Sequence, residues 1–203
     1  MKSTPTEFLR PAGAEDVPAL MALRTEAEQW LTTQGTDQWS DPETGARAID
    51  KWRQSIDEGR SWVIVDADGG ALATVSRGPV DRDFWHDSDG PETALYLYKL
   101  IVARKCAGTG LGGRVLDWAA QVAALEGRAW VRIDVWRTNT GLQSYYERNG
   151  FTHVRTESPS HRRSGWLAQR PTAGAAMPNL PLAVGDPALW LRRSEQPRSD
   201  IYG

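Results

Sequence analysis

From Asp16 onward apolar residues return every three to four positions, at Leu20, Leu23, Ala27 and Leu31. That spacing lines one face of a helix, with Asp16 as a capping residue type and Pro18 suited to a first turn. Glu7–Pro11 ahead of it is a short extended start. Gln34–Gly45, carrying two Asp, a Pro and two Gly, predicts a loop, and Ala46–Glu58 a second helix stopped at Gly59. The period then shortens: Ser61–Asp66 and Ala71–Ser76 are β-rich runs around Asp68-Gly69-Gly70, an antiparallel hairpin. Gly78–Pro91 is polar and turn-rich. In Ala94–Ala103, Leu95 and Leu97 share one face of a strand and Tyr96 and Tyr98 the other. The alternation fails at Tyr98-Lys99, where Leu100-Ile101-Val102 follows. That break predicts a β-bulge, or a strand buried on both faces beyond it.

A glycine cluster, Gly108–Gly113, precedes a helix running to Glu126 with Val115, Trp118, Ala119 and Val122 on one face, ended by Gly127. Trp130–Trp136 is a strand whose Val131, Ile133 and Val135 share a face. Strand, helix and strand form one crossover unit, so Ala94–Ala103 and Trp130–Trp136 are expected to be parallel. Thr140 and Gln143 have capping-box spacing for a short helix to Asn149-Gly150, and Phe151–Glu157 and Trp166–Arg170 are two last strands. The fold class is therefore α/β (α+β), with one domain over residues 1–170. Residues 171–187 are rich in Pro, Gly and Ala and predict a linker. The tail after it holds Leu189-Trp190-Leu191, expected to dock on the body or on a second subunit as a homodimer contact.

Composition narrows the function. Of 203 residues 40% are hydrophobic and 25% charged, which excludes a disordered or collagen-like chain. Lys plus Arg number 24 against 26 Asp plus Glu, a net charge of -2 that gives no overall pull toward nucleic acid or an anionic membrane. Met1–Pro11 has no apolar signal region, and no uncharged run approaches the roughly 20 residues of a spanning helix. A single cysteine, Cys106, forms no internal disulfide, and with these features predicts a soluble, cytoplasmic protein. His86, His153, His161 and Cys106 lack metal-ligand spacing, so no metal is expected.

The glycine cluster between a strand and a helix can converge backbone N–H groups on an anion. A Walker A loop fails, because Gly113-Arg114-Val115 replaces Gly-Lys-Ser/Thr. A dinucleotide fingerprint is present in Gly108, Gly110 and Gly113, with Asp134 about twenty residues on. Against it, Arg104–Ala107 separate the glycines from their strand, Asp134 falls mid-strand, and too few βα units follow. Glycines serving only a tight turn are the remaining rival.

Val102, a five-residue connection and Gly108-Thr109-Gly110-Leu111-Gly112 opening a helix resemble the acyl-CoA loop of the GNAT superfamily of N-acyltransferases, Arg/Gln-x-x-Gly-x-Gly/Ala. Asn139, Leu142, Tyr146 and Gly150-Phe151 resemble its Asn-x-x-Ala-x-x-x-Tyr-x-x-x-Gly-Phe signature, with Leu142 in place of Ala. The resemblance extends to about Arg170. It implies a mixed, mostly antiparallel sheet with helices on both faces and a splayed parallel strand pair. Acetyl-CoA would be the cosubstrate, its pantetheine arm on the backbone of Leu100, Ile101 and Val102 and its pyrophosphate on Gly108, Thr109, Gly110, Leu111, Gly112 and Gly113. Ala107 stands where the family has Arg or Gln, a lost contact that Arg104, Lys105 or Arg114 would replace.

The same resemblance makes Tyr146 the general acid for the leaving thiolate and Asn139 a cofactor contact, with Tyr145 structural. Lys99 stands where family members often carry a catalytic Glu. An ordinary lysine is protonated, which leaves Tyr98, Glu92, Asp134 or a water chain as the route for the amine's proton, the water chain being preferred. Lys99 could instead hold an acidic group of the acceptor. Trp30, Trp39, Trp52 and Trp85 fall in segments that would roof the acceptor, and Tyr98, Lys99, Trp39 and Trp85 are the expected acceptor-site residues. His161-Arg162-Arg163 and Arg192-Arg193 are candidates for the CoA 3′-phosphate or a carrier-protein surface. The function expected is acetyl transfer to the amine of a small-molecule acceptor. Transfer from a longer acyl-CoA, an acyl carrier or an aminoacyl-tRNA, and a non-catalytic CoA-binding protein, are the alternatives.

Overall fold

A computed structural model describes residues 7–39 and 42–174; the linker and docking-tail expectations for 175–203 lie outside them. The strands are β1 (Phe8–Pro11), β2 (Ser61–Val65), β3 (Ala71–Gly78), β4 (Ala94–Val102), β5 (Trp130–Trp136), β6 (Thr152–Thr156) and β7 (Ser164–Pro171). They make one sheet in the order β1-β2-β3-β4-β5-β7-β6, antiparallel throughout except for the β4–β5 pair. The helices are α1 (Val17–Thr33), α2 (Pro42–Asp57), α3 (Leu111–Leu125) and α4 (Thr140–Arg148). The mixed sheet, single parallel pair and helices on both faces are those the sequence predicts.

Two cores sandwich the sheet. On one face Val115, Trp118 and Ala119 of α3 and Tyr146 of α4 pack against Leu95, Leu97, Val131, Ile133 and Val135. On the other, Leu20 and Leu23 of α1 and Trp52 and Ile56 of α2 cover Val63, Val65, Ile101 and Ala103. Each fully buried aliphatic side chain contributes about 1.5–3 kcal/mol, so the helices are held by these faces rather than by propensity alone.

Two irregularities of β4 position the site. Thr74 of β3 faces Ile101 and Ser76 faces Tyr98, so Lys99 and Leu100 together oppose the single residue Val75. This is the predicted bulge. Lys99 carries it with φ +53°, a conformation costly for any residue with a Cβ. The extra residue also explains why Tyr96 and Tyr98, then Ile101, share a face. The second irregularity is at the parallel pair, which bonds only over Ala94↔Trp130, Leu95↔Val131 and Tyr96↔Arg132. Beyond these the strands part, while β4 stays paired to β3 as far as Val102↔Ala73 and β5 to β7 as far as Trp136↔Ser164.

Three local expectations change. α2 starts at Pro42, not Ala46, because Pro is well placed in a first turn and one interior Gly costs only about 1 kcal/mol. Asp16 caps a 3₁₀ turn ahead of α1: it accepts from Gly13 N at 2.8 Å and from Arg10 at 2.6 and 2.7 Å, and does not cap α1 with its side chain. At α4 the cap is Asn139, whose Oδ1 accepts from Leu142 N at 2.9 Å, with Thr140 already helical. Gln143, the other half of the expected box, instead donates to the carbonyls of Trp136 and Arg137 at 3.1 and 3.0 Å.

Candidate active site

Where β4 and β5 diverge, a cavity of about 1870 Å³ passes between the strands and opens on both faces of the sheet. Its edges are the unpaired sides of Leu97–Val102 and Ile133–Trp136, backbone groups that a ligand with amide groups can bond as an added strand would. Leu100, Ile101 and Val102 all border it. Ile101 differs from its neighbours in sending its side chain into the α1–α2 core.

On the α3 face the cavity reaches the glycine loop. Gly108 and Gly110 adopt φ +77° and +81°, a turn that glycine makes without strain. Gly110 caps α3, and the first intrahelical bond runs from Arg114 N to Gly110 O, so the amides of Leu111, Gly112 and Gly113 have no intrahelical partner. Such a helix start holds an anion. Gly110, Leu111, Gly112 and Gly113 line the cavity. Thr109 is spent on the loop itself, its hydroxyl donating to Cys106 O at 2.8 Å. Gly112 has a further reason to be glycine: a Cβ there would meet the Tyr145 hydroxyl at 2.2 Å. Tyr145 is therefore a wall of the cavity as well as a packing residue, a role its position in the signature did not reveal.

Tyr146 is buried, with its ring edge-on to Tyr145 and Phe151 at 5.4 and 5.3 Å. It lines the cavity, and its hydroxyl has no protein hydrogen-bond partner among the described residues. Burial, with smaller contributions from Tyr145 and Asp134, drives its pKa upward, so it keeps its proton. Asn139 also borders the cavity, but both halves of its amide are engaged: Oδ1 caps α4 and Nδ2 donates to Gln38 Oε1 at 2.7 Å. Asn139 thus shapes the site by joining the α1–α2 connection to α4.

On the α1–α2 face the cavity is lined by Tyr98, Lys99 and Asp134. Tyr98 donates its hydroxyl to Pro79 O at 2.7 Å, and burial holds the phenol protonated. Burial raises the Asp134 pKa above the usual carboxylate range, against the opposing effect of a Ser164 hydrogen bond. Glu92 does not line the cavity and drops out as a proton acceptor. Burial, reinforced by Arg60, Arg24 and Lys51, lowers Lys99 to about 8.

Of the expected aromatic roof, Trp30, Trp39 and Trp52 border the cavity. Trp85 does not. It is fully buried in a separate cluster with Phe84 and Leu167, edge-on to Tyr96 at 5.9 Å and under the Arg132 guanidinium at 4.6 Å. The basic cluster His161-Arg162-Arg163 is used up on carboxylates: Arg162 pairs with Asp81 and Asp83 at 2.6 Å each, His161 contacts Asp83 at 3.1 Å, and Arg163 pairs with Asp37 at 3.2 Å. Nor do the basic residues near the glycine loop stand idle. Arg104 stacks on Trp30 at 4.1 Å, Lys105 pairs with Asp66 at 3.5 Å and Arg114 with Glu7 at 2.5 Å. Only Arg104 of these three borders the cavity.

With this geometry in view, residues 24–151 match the model of the acetyltransferase (GNAT) family. The chain is 32% identical over 154 residues to the uncharacterized N-acetyltransferase YesJ of Bacillus subtilis (strain 168), covering 74% of this chain and 84% of that one. The chain belongs to the GNAT acetyltransferase family. Solved GNAT structures share its fold. An acetyltransferase of Listeria monocytogenes 4b F2365 superposes with TM-score 0.66 at 22% identity, over 81% of this chain and 94% of that one. The PaiA N-acetyltransferase of Thermoplasma acidophilum, solved in complex with coenzyme A, gives 0.64 at 17%, over 81% and 98%. GNAT membership selects acyl transfer over the dinucleotide reading of the glycine loop. Among the described residues no cluster of His, Cys, Asp and Glu suits a metal ion, and no helix is long and apolar enough to cross a membrane.

Proposed function

We propose that this protein transfers an acetyl group from acetyl-CoA directly to the amine of a small-molecule acceptor. The observation that carries the reading is the splay of β4 from β5, whose unpaired backbone leads straight to the first-turn amides of α3, which have no partner within the helix. Leu100, Ile101 and Val102 would hold the amide-rich arm, and Gly110–Gly113 the diphosphate. Arg104 is the one basic side chain of the loop at the cavity to take over the contact absent at Ala107.

When bound, acetyl-CoA supplies the thioester carbon to which the amine nitrogen bonds as the carbon–sulfur bond breaks. Tyr146, protonated and without an internal acceptor, gives its proton to the departing sulfur. Asp134 takes the proton lost by the amine: its raised pKa makes it a better base than an ordinary surface carboxylate. This reading favours Asp134 over the water chain preferred from sequence, because the splay leaves Asp134 bordering the same cavity as Tyr146.

Release of free thiol from acetyl-CoA across a broad amine panel tests the activity. Tyr146→Phe is expected to lower kcat about 100-fold, within the usual range for loss of a general acid. Unchanged turnover in that variant would remove Tyr146 from the mechanism. Retained CoA binding with no thiol release from any amine would favour the non-catalytic alternative.

A further inference from the structure

The acceptor half of the cavity is rich in hydrogen-bond donors and poor in free acceptors. Apart from Asp134, the base of the proposed transfer, its carboxylates are already engaged: Asp81 and Asp83 by Arg162, and Asp37 by Trp136 Nε1 at 2.7 Å, Thr138 at 3.0 Å and Arg163. Its cations are less well matched. Arg24, Lys51, Arg60 and Lys99 all line this part, and the first three lie close enough to Lys99 for their charges to disfavour its protonation. Arg24 shares Glu28 at 2.6 Å, and Arg60 pairs with Glu58 on the outer surface. Among the described residues Lys99 and Lys51 have no carboxylate partner. Lys99 rests only on the face of Trp52, its Nζ 5.7 Å from the ring centroid.

Trp52 itself is fully buried and supplies an apolar ring face, not a counter-charge, beneath Lys99. Nearby, Ser55 and Ser76 line the cavity through a buried hydroxyl chain, Ser55···Ser61 at 2.9 Å and Ser61···Ser76 at 2.6 Å. Burying a cation without a counter-charge is costly, and the fold adds the strain of a lysine at positive φ to keep one there.

The geometry points to an acceptor that carries an anionic group, a carboxylate or a phosphate, held by Lys99 with Arg24, Arg60 and Lys51 while its amine lies toward Asp134. An amino acid or an aminoalkyl phosphate has this chemistry, a polyamine does not. The inference rests on the acetyl-transfer reading above and deepens it by naming the substrate class.

The test uses matched pairs: α-amino acids against their amides, and 2-aminoethyl phosphate against ethanolamine, each with acetyl-CoA and thiol release as readout. The anionic member is expected to have the higher kcat/KM by about tenfold or more, the scale of one charge-assisted contact, and the carboxylate and phosphate arms show which anion fits. Lys99→Met is expected to cut that preference about tenfold, mainly through KM. Lys51→Glu, at an exposed position where folding is not at stake, is expected to lower it in the same direction. Equal or better use of the uncharged members, or a preference that survives both substitutions, overturns the inference while leaving acetyl transfer intact. A loss in Lys99→Met confined to kcat, equal for both members of each pair, overturns it in favour of a proton-transfer role. Acetyl-CoA binding without thiol release from any amine, charged or uncharged, removes the underlying reaction and the inference with it.

Discussion

Two residues carry opposite electrostatic requirements. Tyr146 needs its proton and burial secures it; Lys99 loses its charge readily for the same physical reason. For Lys99 the folded-state value of about 8 lies below the ordinary 10.5. Between those values the unfolded chain binds more protons than the folded one, so this group's destabilising contribution is fully present below about pH 8 and fades as pH rises to 10.5. Lys99→Met, measured without ligands at pH 7, is therefore expected to raise the melting temperature, by about 2–4 °C if ~1 kcal/mol is recovered. The gain should shrink at pH 10, and thermal melts at the two pH values check it. Asp89 has the reverse sign. Its pKa is lowered chiefly by the Arg155 hydrogen bonds, so its contribution is present above the ordinary 3.8 and lost as pH falls below it. Acid melts of Arg155→Met should show a weaker dependence on pH in that range than the wild-type chain.

At the scale of elements, the α3–α4 contact joins loop and acid. Gly112→Ala would drive a methyl into the Tyr145 hydroxyl, and since that oxygen ends a ring wedged against Tyr146, relief requires α4 to shift. Overpacking of this kind costs about 1–3 kcal/mol. CoA affinity should fall with it, and Tyr145→Phe in the same chain should restore part of both, as calorimetry and chemical denaturation would show. The elements themselves were largely legible in sequence, because β4, α3, β5 and α4 have strong periodicity and glycine stops. Contacts between elements were not. Nothing local distinguishes Asn139 as a cap from Asn139 as a ligand contact: only the arrival of Gln38 from a loop a hundred positions away engages its amide. Trp85 reads like Trp39 in composition, and only the Arg132 network, assembled from β4, β5, β7 and the loop after β3, withdraws it from the cavity. The start of α2 is not legible in the sequence, since Pro42 and Gly45 punctuate a loop as readily as they open a helix.

For the whole molecule, the sheet consists of two antiparallel blocks, β1–β4 and β5–β7, joined at three paired positions. Amides on the unpaired edges of Leu97–Val102 and Ile133–Trp136 should exchange with solvent much faster than those in the β2–β3 ladder. Adding CoA should slow the β4 edge and the first turn of α3 together. Hydrogen exchange that showed protection at the loop without the strand would mean that the arm lies elsewhere. The parallel pairing and the glycine loop made this junction readable from sequence; the charge balance of its far side was not, since which acids are already occupied depends on Arg162 and Arg163 folding back from the other end of the chain.

The bulge at Lys99 restores the facing of every residue after it, so Leu100 and Val102 reach one hydrophobic layer and Ile101 and Ala103 the other. The inserted position itself belongs to neither layer. Its side chain borders the cavity and meets the interior at the Trp52 ring, so exchange there can retune which molecules the enzyme accepts with limited repacking. Relatives that differ in appetite are expected to differ first at this single point, and a library randomised at position 99 alone should yield mostly folded proteins with redistributed preferences.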